Sequence, residues 1–452
     1  TRGRLVLAGI TLGSGVAFLD GSVVNVALRR LGQDLDASLA QLQWVVNGYL
    51  LALASLVLVG GALGDRLGRR RVYLVGVAWF AIASGLCAGA QTPGQLIALR
   101  VLQGVGAALL TPGALALIQA SFRPEDRAPA IGVWAGVSGI ATAVGPLLGG
   151  WIVDSTSWRW IFAVNVPLCL VVGALVRYAA PESRDPTASG RFDVAGTALT
   201  VVSLGAATFA LTASTEASVG LVVAAYAVAA AAAVGFVVVE WRTASPLVDL
   251  DLFRSRVFSA ANGMTVLVYG AYGAVSLFTV LQLQAAGWSA LAAGLSTLPI
   301  TVSLLAFSPR AASLSMRIGP RIPMTVGPFT CAVGTLLLLW VAQGASWVHV
   351  LPGMVVFSLG LALLVSPLTT AVLAAVPVRF VGVASGVNNA VARAGSLLAV
   401  AGLPALVGLA GDDYLDLDAM TSGFRGAMAW CTGLLVAGGV VSWFGLGRAA
   451  PR

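Results

Sequence analysis

Few side chains in this sequence can do chemistry, and those few stand in unusual places. Asp20 is a carboxylate in the middle of a long apolar stretch. An ionisable group at such a depth costs about 2.5 to 3.5 kcal/mol to place in a membrane. Two roles justify it: a proton carrier whose surroundings change, or a permanently ionised acid locked against an arginine or a capping network. Arg100, early in another apolar stretch, is its natural partner. Arginine stays protonated, so it biases a carboxylate without titrating itself. A pair that parts lets the acid load a proton, whereas a fixed pair is a structural counter-ion. Arg393 lies in a stretch with no carboxylate of its own. Asn388, Asn389 or a group on another helix can satisfy it, or it can attract anions.

The chemistries that are missing narrow the field further. The net charge of +8 rests on 26 arginines with no lysine, which removes the P-loop and Schiff-base enzymes. The single histidine, His349, falls at a predicted helix end and reads as interfacial, leaving no paired-histidine zinc motif. Cys87, Cys169, Cys331 and Cys431 stand singly in apolar helices without CxxC spacing, so packing is their expected role. No Ser/His/Asp, metal or phosphate constellation is visible. A non-enzyme without metal or cofactor, and without a nucleic-acid partner, is expected.

The elements that hold these residues are set by the solvent. The chain is 58% hydrophobic and 10% charged, with mean hydropathy +0.92. A soluble protein carries roughly 25% charged residues. Apolar stretches of about 20 residues match a hydrocarbon core about 30 Å thick, and helices satisfy their own backbone there. The alternation of a membrane barrel is absent. Fourteen spans are predicted near 5–28, 43–63, 72–91, 95–121, 129–153, 160–179, 194–214, 219–239, 257–284, 289–311, 322–342, 347–374, 382–410 and 424–446. The first is expected to stay in the mature protein, because it holds Asp20 and lacks a small-residue cleavage site. With the N-terminus inside, 20 of the 26 arginines fall in cytoplasmic loops and tails, including Arg191, Arg379, Arg448 and Arg452. That asymmetry predicts a multi-pass protein of the inner (plasma) membrane with both termini cytoplasmic.

An internal repeat organises the spans. Leu63-Gly-Asp-Arg-Leu-Gly-Arg-Arg-Arg-Val72 is echoed by Leu314-Ser-Met-Arg-Ile-Gly-Pro-Arg-Ile-Pro323, Thr111-Pro112 by Ser366-Pro367, and Gly145-Pro-Leu-Leu148 by Gly395-Ser-Leu-Leu398. The offsets are 251, 255 and 250 residues. Three echoes in order at nearly one offset indicate two parallel repeats, the arrangement in which a transporter places its substrate site between halves. The expected domains are a six-helix bundle over 1–180, two inserted helices with linkers over 181–256, and a second six-helix bundle over 257–452.

These residues resemble the major facilitator superfamily, in particular its fourteen-helix drug:proton antiporter branch. The likeness covers essentially the whole chain. It rests on Leu19-Asp-Gly-Ser-Val-Val-Asn-Val-Ala-Leu28, Gly61-Ala-Leu-Gly-Asp-Arg-Leu-Gly-Arg-Arg-Arg71, Arg100-Val-Leu-Gln-Gly-Val-Gly106, Gly145-Pro-Leu-Leu-Gly-Gly150 and Trp158-Arg-Trp-Ile-Phe-Ala-Val-Asn-Val-Pro167. Arg29 departs from it, where the family's first motif usually ends in proline. The resemblance implies a proton relay at Asp20 and Arg100 and associates Gly145-Pro146, followed by Gly149, with antiport; helix packing alone is the other reading of those glycines. Related transporters often carry a second acid in the C-terminal half, and none stands at mid-span here.

Asp65, Arg66, Arg69 and Arg70 are placed to latch a gating loop, or to bind anionic lipid and set topology. Candidate cavity residues are Asn25, Tyr49, Gln103, Trp134, Asn262, Tyr269, Tyr272, Asn388, Asn389 and Arg393. The expected function is proton-coupled antiport that exports lipophilic small molecules, cationic ones among them. The alternative is an exporter or translocator of an endogenous lipid or secondary metabolite with structural embedded charges. The bilayer, the substrate and protons are the expected partners of a monomer, with the proton gradient as the energy source.

Overall fold

Long apolar runs punctuated by glycine, proline and arginine become helices, and the computed structural model describes them over residues 2–184, 193–243, 246–341, 344–377 and 380–446. The N-terminal helices are α1 (Arg2–Leu35), α2 (Leu39–Leu67), α3 (Arg69–Ala88), α4 (Pro93–Ser121), α5 (Pro124–Ser155), α6 (Arg159–Ala163) and α7 (Asn165–Ala179). Two further helices follow, α8 (Val194–Thr212) and α9 (Val219–Arg242). The rest are α10 (Arg256–Ala285), α11 (Ala290–Leu295), α12 (Leu298–Ile318), α13 (Arg321–Leu338), α14 (Trp347–Ala374), α15 (Val381–Leu406) and α16 (Leu417–Gly445). Among the described residues thirteen spans are long and apolar enough to cross a membrane, and the 32-residue α5 occupies the place of the predicted fifth. The predicted all-helical membrane architecture is the observed one. Arg191, Arg379, Arg448 and Arg452 lie outside the described residues.

Differences from the predicted spans have local causes. The sixth span is α6 followed by α7, and the tenth is α11 followed by α12. Pro167 and Pro299 lack the N–H that would bond the carbonyl four residues back, at Ala163 and Leu295, which are the last residues of α6 and α11. The first helix runs seven residues past Leu28, because Arg29 continues a helix where proline would break it. The ninth helix runs past residue 239 and takes in Glu240, which is 3% exposed. Its carboxylate and that of Asp193 both crowd the space beside Gly196, whose N–H Asp193 caps at 2.8 Å.

The chain divides into two compact units. One holds residues 1–37, 41–206 and 226–247, the other 38–40, 207–225 and 248–452. Within each unit the same close approaches recur. In the first, a Cβ on Gly76 of α3 would lie 2.9 Å from the Leu110 nitrogen of α4, and one on Gly106 would lie 2.8 Å from the Phe80 nitrogen. In the second, a Cβ on Gly327 of α13 would lie 2.8 Å from Leu364 of α14, and one on Gly360 would lie 2.6 Å from the Cys331 nitrogen. Gly145 of α5 rests on Leu19 and Ser22 of α1, while its repeat partner Gly395 of α15 rests on Val266 of α10, where an added Cβ would lie 2.5 Å from that carbonyl oxygen. Small residues let helix backbones touch in lipid, where there is no hydrophobic drive between helices. Gly68 and Gly319, also repeat partners, start α3 and end α12 with φ of +112° and +83°, a conformation that favours glycine.

Large apolar side chains on the outside, among them Ile82, Leu170 and Val234, are more than half exposed and suit contact with acyl chains. Only 17% of the most apolar window of α9 is buried, against 67% for α1, so α9 is mainly lipid-facing. We expect Gly76→Leu to lower the thermal midpoint in detergent, as overpacking of a tight contact costs about 1–3 kcal/mol. Gly132→Ala, with nothing within 4 Å of the added Cβ, should leave it unchanged. Fluorescence-detected gel filtration after a heat series reads both.

Candidate functional site

Asp20, on α1, is 0% exposed, and the first unit is built around it. Its Oδ2 accepts from Arg100 Nη1 of α4 at 2.5 Å. Its Oδ1 accepts from Gln103 Nε2, one turn further along α4, at 2.8 Å, and from Asn165 Nδ2, at the start of α7, at 2.9 Å. Both amides also donate to Ser84 Oγ of α3, at 3.1 and 3.0 Å, and that hydroxyl donates to the Phe162 carbonyl at 2.9 Å. Three side-chain donors therefore converge on one carboxylate.

Arg100 is held as fully as its partner. It is 1% exposed, and its Nε donates to the Val45 carbonyl of α2 at 3.1 Å. Its Nη1 also donates to Gln103 Oε1 at 2.6 Å. The guanidinium carbon lies 4.4 Å from the Tyr49 ring centroid and 5.6 Å from that of Phe162. A desolvated cation over aromatic faces gains from their quadrupoles. Tyr49 is pinned in turn, its hydroxyl donating to the Ala17 carbonyl of α1 at 3.2 Å. Five segments therefore converge on one charge pair.

Asp20 and Arg100, expected as the coupling pair, and Tyr49 and Gln103, expected to line a substrate cavity, lie together in one buried cluster. Tyr49 and Gln103 are buried with their polar atoms turned to protein groups. Ser84 and Asn165 were not among the anticipated residues. Asn165 carried a usable signal, since it lies in the quoted Trp158 to Pro167 run and is an amide within a span. The same run fixes one end of this unit. Trp158 is fully buried and donates to Asp34 at 3.1 Å, while Arg159 stacks on its ring and donates to the Ala90 carbonyl at 3.0 Å.

The loop between α2 and α3 is tied within its own unit. Arg69 pairs with Asp65 at 2.8 Å. Arg70 places its backbone N–H 3.1 Å from Glu182 Oε1 and its Nη1 3.0 Å from the Ala180 carbonyl. The Arg69 N–H reaches the Ser183 carbonyl at 2.9 Å, and a Cβ on Gly68 would sit 2.7 Å from Glu182 Oε1. Glu182 is the residue that sequence reasoning did not single out here. Arg66, at the end of α2, is half-buried. On α5, Trp134 donates to Ser14 Oγ of α1 at 2.9 Å, and Gly149 meets Val23 and Val26, so the Gly145-Pro146-Gly149 segment packs along α1 beside Asp20. Asn25 is half-buried on α1.

In the second unit, Asn262 is 3% exposed, and Asn388 of α15 donates to its Oδ1 at 3.1 Å and to Thr265 Oγ1 at 2.9 Å. That network clamps α15 to α10. Asn389 is exposed and bonds its own helix at Ser385. Tyr269 and Tyr272 stand edge to face, with ring centroids 6.3 Å apart. His349 is exposed and closes a capping box with Ser346 at the start of α14.

The sequence profile described as Major Facilitator Superfamily matches residues 10–400. The multidrug resistance protein Stp of Mycobacterium tuberculosis is 35% identical over 401 residues, which are 88% of this chain and 74% of that protein. The tetracenomycin C resistance and export protein of Streptomyces glaucescens is 34% identical over 418 residues, covering 89% and 75%. A crystal structure of a D-xylose-proton symporter superposes with a TM-score of 0.70 at 15% identity, covering 98% of each chain. At that identity the likeness is one of fold.

Removing one member of a buried pair leaves an uncompensated charge and costs about 3–5 kcal/mol. We therefore expect Arg100→Gln to lower the thermal midpoint strongly, and the double variant Asp20→Asn, Arg100→Gln to recover most of the loss. A double-mutant cycle on the unfolding midpoints in detergent measures this coupling.

Proposed function

We propose that this chain, which belongs to the Major Facilitator Superfamily, exports lipophilic small molecules, cationic drugs included, in exchange for protons. Its membership makes it a multi-pass membrane transporter and not an enzyme. The observation that carries the finer reading is Asp20, a carboxylate at membrane depth with zero exposure, held by a cation on another helix. An acid so placed is costly unless its charge is used. In the state described here Arg100, Gln103 and Asn165 all donate to it. Withdrawal of Arg100 during alternating access would strip that stabilisation and favour proton uptake; its return would expel the proton.

Other features support this reading. Asp65, Arg66, Arg69 and Arg70 form the gate at the inner mouth, steadied by Glu182. Gly145, Pro146 and Gly149 give α5 a bend whose displacement is felt at Leu19 and Ser22, on either side of Asp20. Export is favoured by relatives named for resistance and export, and the fold itself is shared with a symporter. The transporter works as a monomer of two bundles, 1–180 and 257–452, joined by the inserted 181–256, in the inner membrane with both termini cytoplasmic. It needs no cofactor, the proton gradient being the energy source.

The completeness of the cage favours a second reading, in which the Asp20 and Arg100 pair is a fixed bridge and the cargo is an endogenous lipid or metabolite. One substitution separates the two. Asp20→Asn should abolish pH-gradient-driven export from everted vesicles while substrate exchange without net proton movement persists. Undiminished gradient-driven export by a folded Asp20→Asn protein would sink the carrier assignment.

A further inference from the structure

One position of the repeat meets an acid in the first unit and an aromatic ring in the second. Arg70, at the start of α3, has Glu182 Oε1 3.1 Å from its backbone N–H and Oε2 3.7 Å from its Nε. Its repeat partner Arg321, at the start of α13, lays its guanidinium 4.0 Å over the ring of Trp443, near the end of α16. The Arg321 Nε is buried with no hydrogen-bond partner. No Asp or Glu stands between residues 252 and 411 or after Asp418, so the end of α16 offers no counterpart of Glu182. Arg256, which opens α10, reaches the same place and donates from Nη2 to the Phe444 carbonyl at 2.7 Å. Neither arginine belongs to an ion pair among the described residues. Arg317, exposed in the last turn of α12, adds charge to the loop that leads into Arg321.

From this cluster an apolar seam runs between α13 and α16. The two helices are antiparallel and meet at three depths. Arg321 lies on Trp443, Phe329 lies on Gly439, where an added Cβ would be 2.9 Å from the ring, and Thr335 hydrogen-bonds Thr432 at 2.8 Å. Ile322, Val326, Phe329 and Val333 follow helical spacing along α13, and each is more than a third exposed, as are Val436 and Val440 on α16. The stretch from Arg321 to Thr335 covers about 21 Å at 1.5 Å per residue, more than the ~15 Å of hydrocarbon in one leaflet. An acyl chain can therefore lie along the seam through the full depth of its leaflet, with its headgroup at the arginines. Trp443 is 43% exposed and carries an indole N–H donor, the residue type that sits at headgroup level.

We infer that Arg321, Arg256 and Trp443 form a binding site for an anionic phospholipid of the surrounding membrane, its phosphate held by the two guanidinium groups and one acyl chain laid along the α13 and α16 seam. The site goes beyond the export reading and stands whether or not that reading holds. A guanidinium fork matches phosphate oxygens two at a time, and basic pockets between membrane helices suit anionic headgroups. Stacking on Trp443 fixes the plane of the Arg321 guanidinium while leaving its N–H edges for hydrogen bonds. The apolar seam selects a lipid over a free anion, which has nothing to place there. A choline headgroup sets a cation beside two arginines, so a zwitterionic lipid with the same chains binds less well.

The test is native mass spectrometry of the full chain in detergent, titrated with phosphatidylglycerol or with phosphatidylcholine of the same acyl chains. The wild-type chain should carry the first phosphatidylglycerol at lower lipid concentration than the first phosphatidylcholine. Arg321→Gln should weaken phosphatidylglycerol binding by about fivefold, the scale of one arginine at an anionic headgroup, and leave phosphatidylcholine binding unchanged. Arg256→Gln, at an exposed position, should act in the same direction and covers the case in which Arg321→Gln does not fold. Arg425→Gln removes the same charge from an exposed position toward the other end of α16 and should change neither lipid. Inorganic phosphate in excess should displace no lipid. Equal wild-type affinity for the two lipids, an equal loss in Arg425→Gln, or displacement by inorganic phosphate overturns the inference.

Discussion

A carboxylate that is completely removed from water must have its charge matched, and in this protein that requirement gathers the first unit. Asp20 takes donors from α4 and from the start of α7, while its partner Arg100 is fixed by the Val45 carbonyl of α2 and the rings of Tyr49 and Phe162. Ser84 of α3 links the two amides. None of these contacts is strong in isolation, because desolvating two charges offsets most of their attraction. Their effect is selectivity of arrangement. Losing any one leaves a buried polar group without its partner, so the helices are held in one register as long as the acid stays charged.

The two units solve the packing problem alike and the polar problem differently. Gly145 and Gly395, repeat partners, each let the fifth helix of their half lie against the first, and Gly68 and Gly319 each supply a left-handed turn at the same loop. These are steric demands, and duplicated sequence meets them twice. The charged positions have diverged. Arg70 reaches Glu182, whereas its partner Arg321 stacks 4.0 Å over the Trp443 ring. In the first unit Asp20 and Arg100 form a buried pair, whereas α10 to α15 of the second contain no Asp or Glu.

Much of this was readable beforehand, and for a clear reason. Hydrocarbon forces helices and penalises charge, so span positions, the arginine-rich loops and the oddness of Asp20, Arg100 and Arg393 are all visible in one dimension. The three echoes were visible because close helix contacts admit only glycine or similarly small residues. Ser84 and Asn165 were harder, since a hydroxyl or amide in a span is cheap enough to be common, and only proximity to Asp20 distinguishes these two. Glu182 follows a helix end, where acids are ordinary. Its importance comes from a loop more than a hundred residues earlier folding back upon it. The breaks at Pro167 and Pro299 were written in the sequence but went unread, because hydropathy continues smoothly through them.

Composition and periodicity by themselves determined that the chain is a helical membrane protein, that it is built as a repeat, and which charges are exceptional. These follow from solvent and sterics, which act on each segment independently. Tertiary structure alone decided which donors meet Asp20, that Tyr49 and Phe162 roof the guanidinium, that Glu182 ties the loop, and that Asn388 bonds Asn262 and Thr265. Those are matters of distance between segments far apart in the chain. A hydrogen bond or ion pair depends on tenths of an ångström that no pattern of residue types contains.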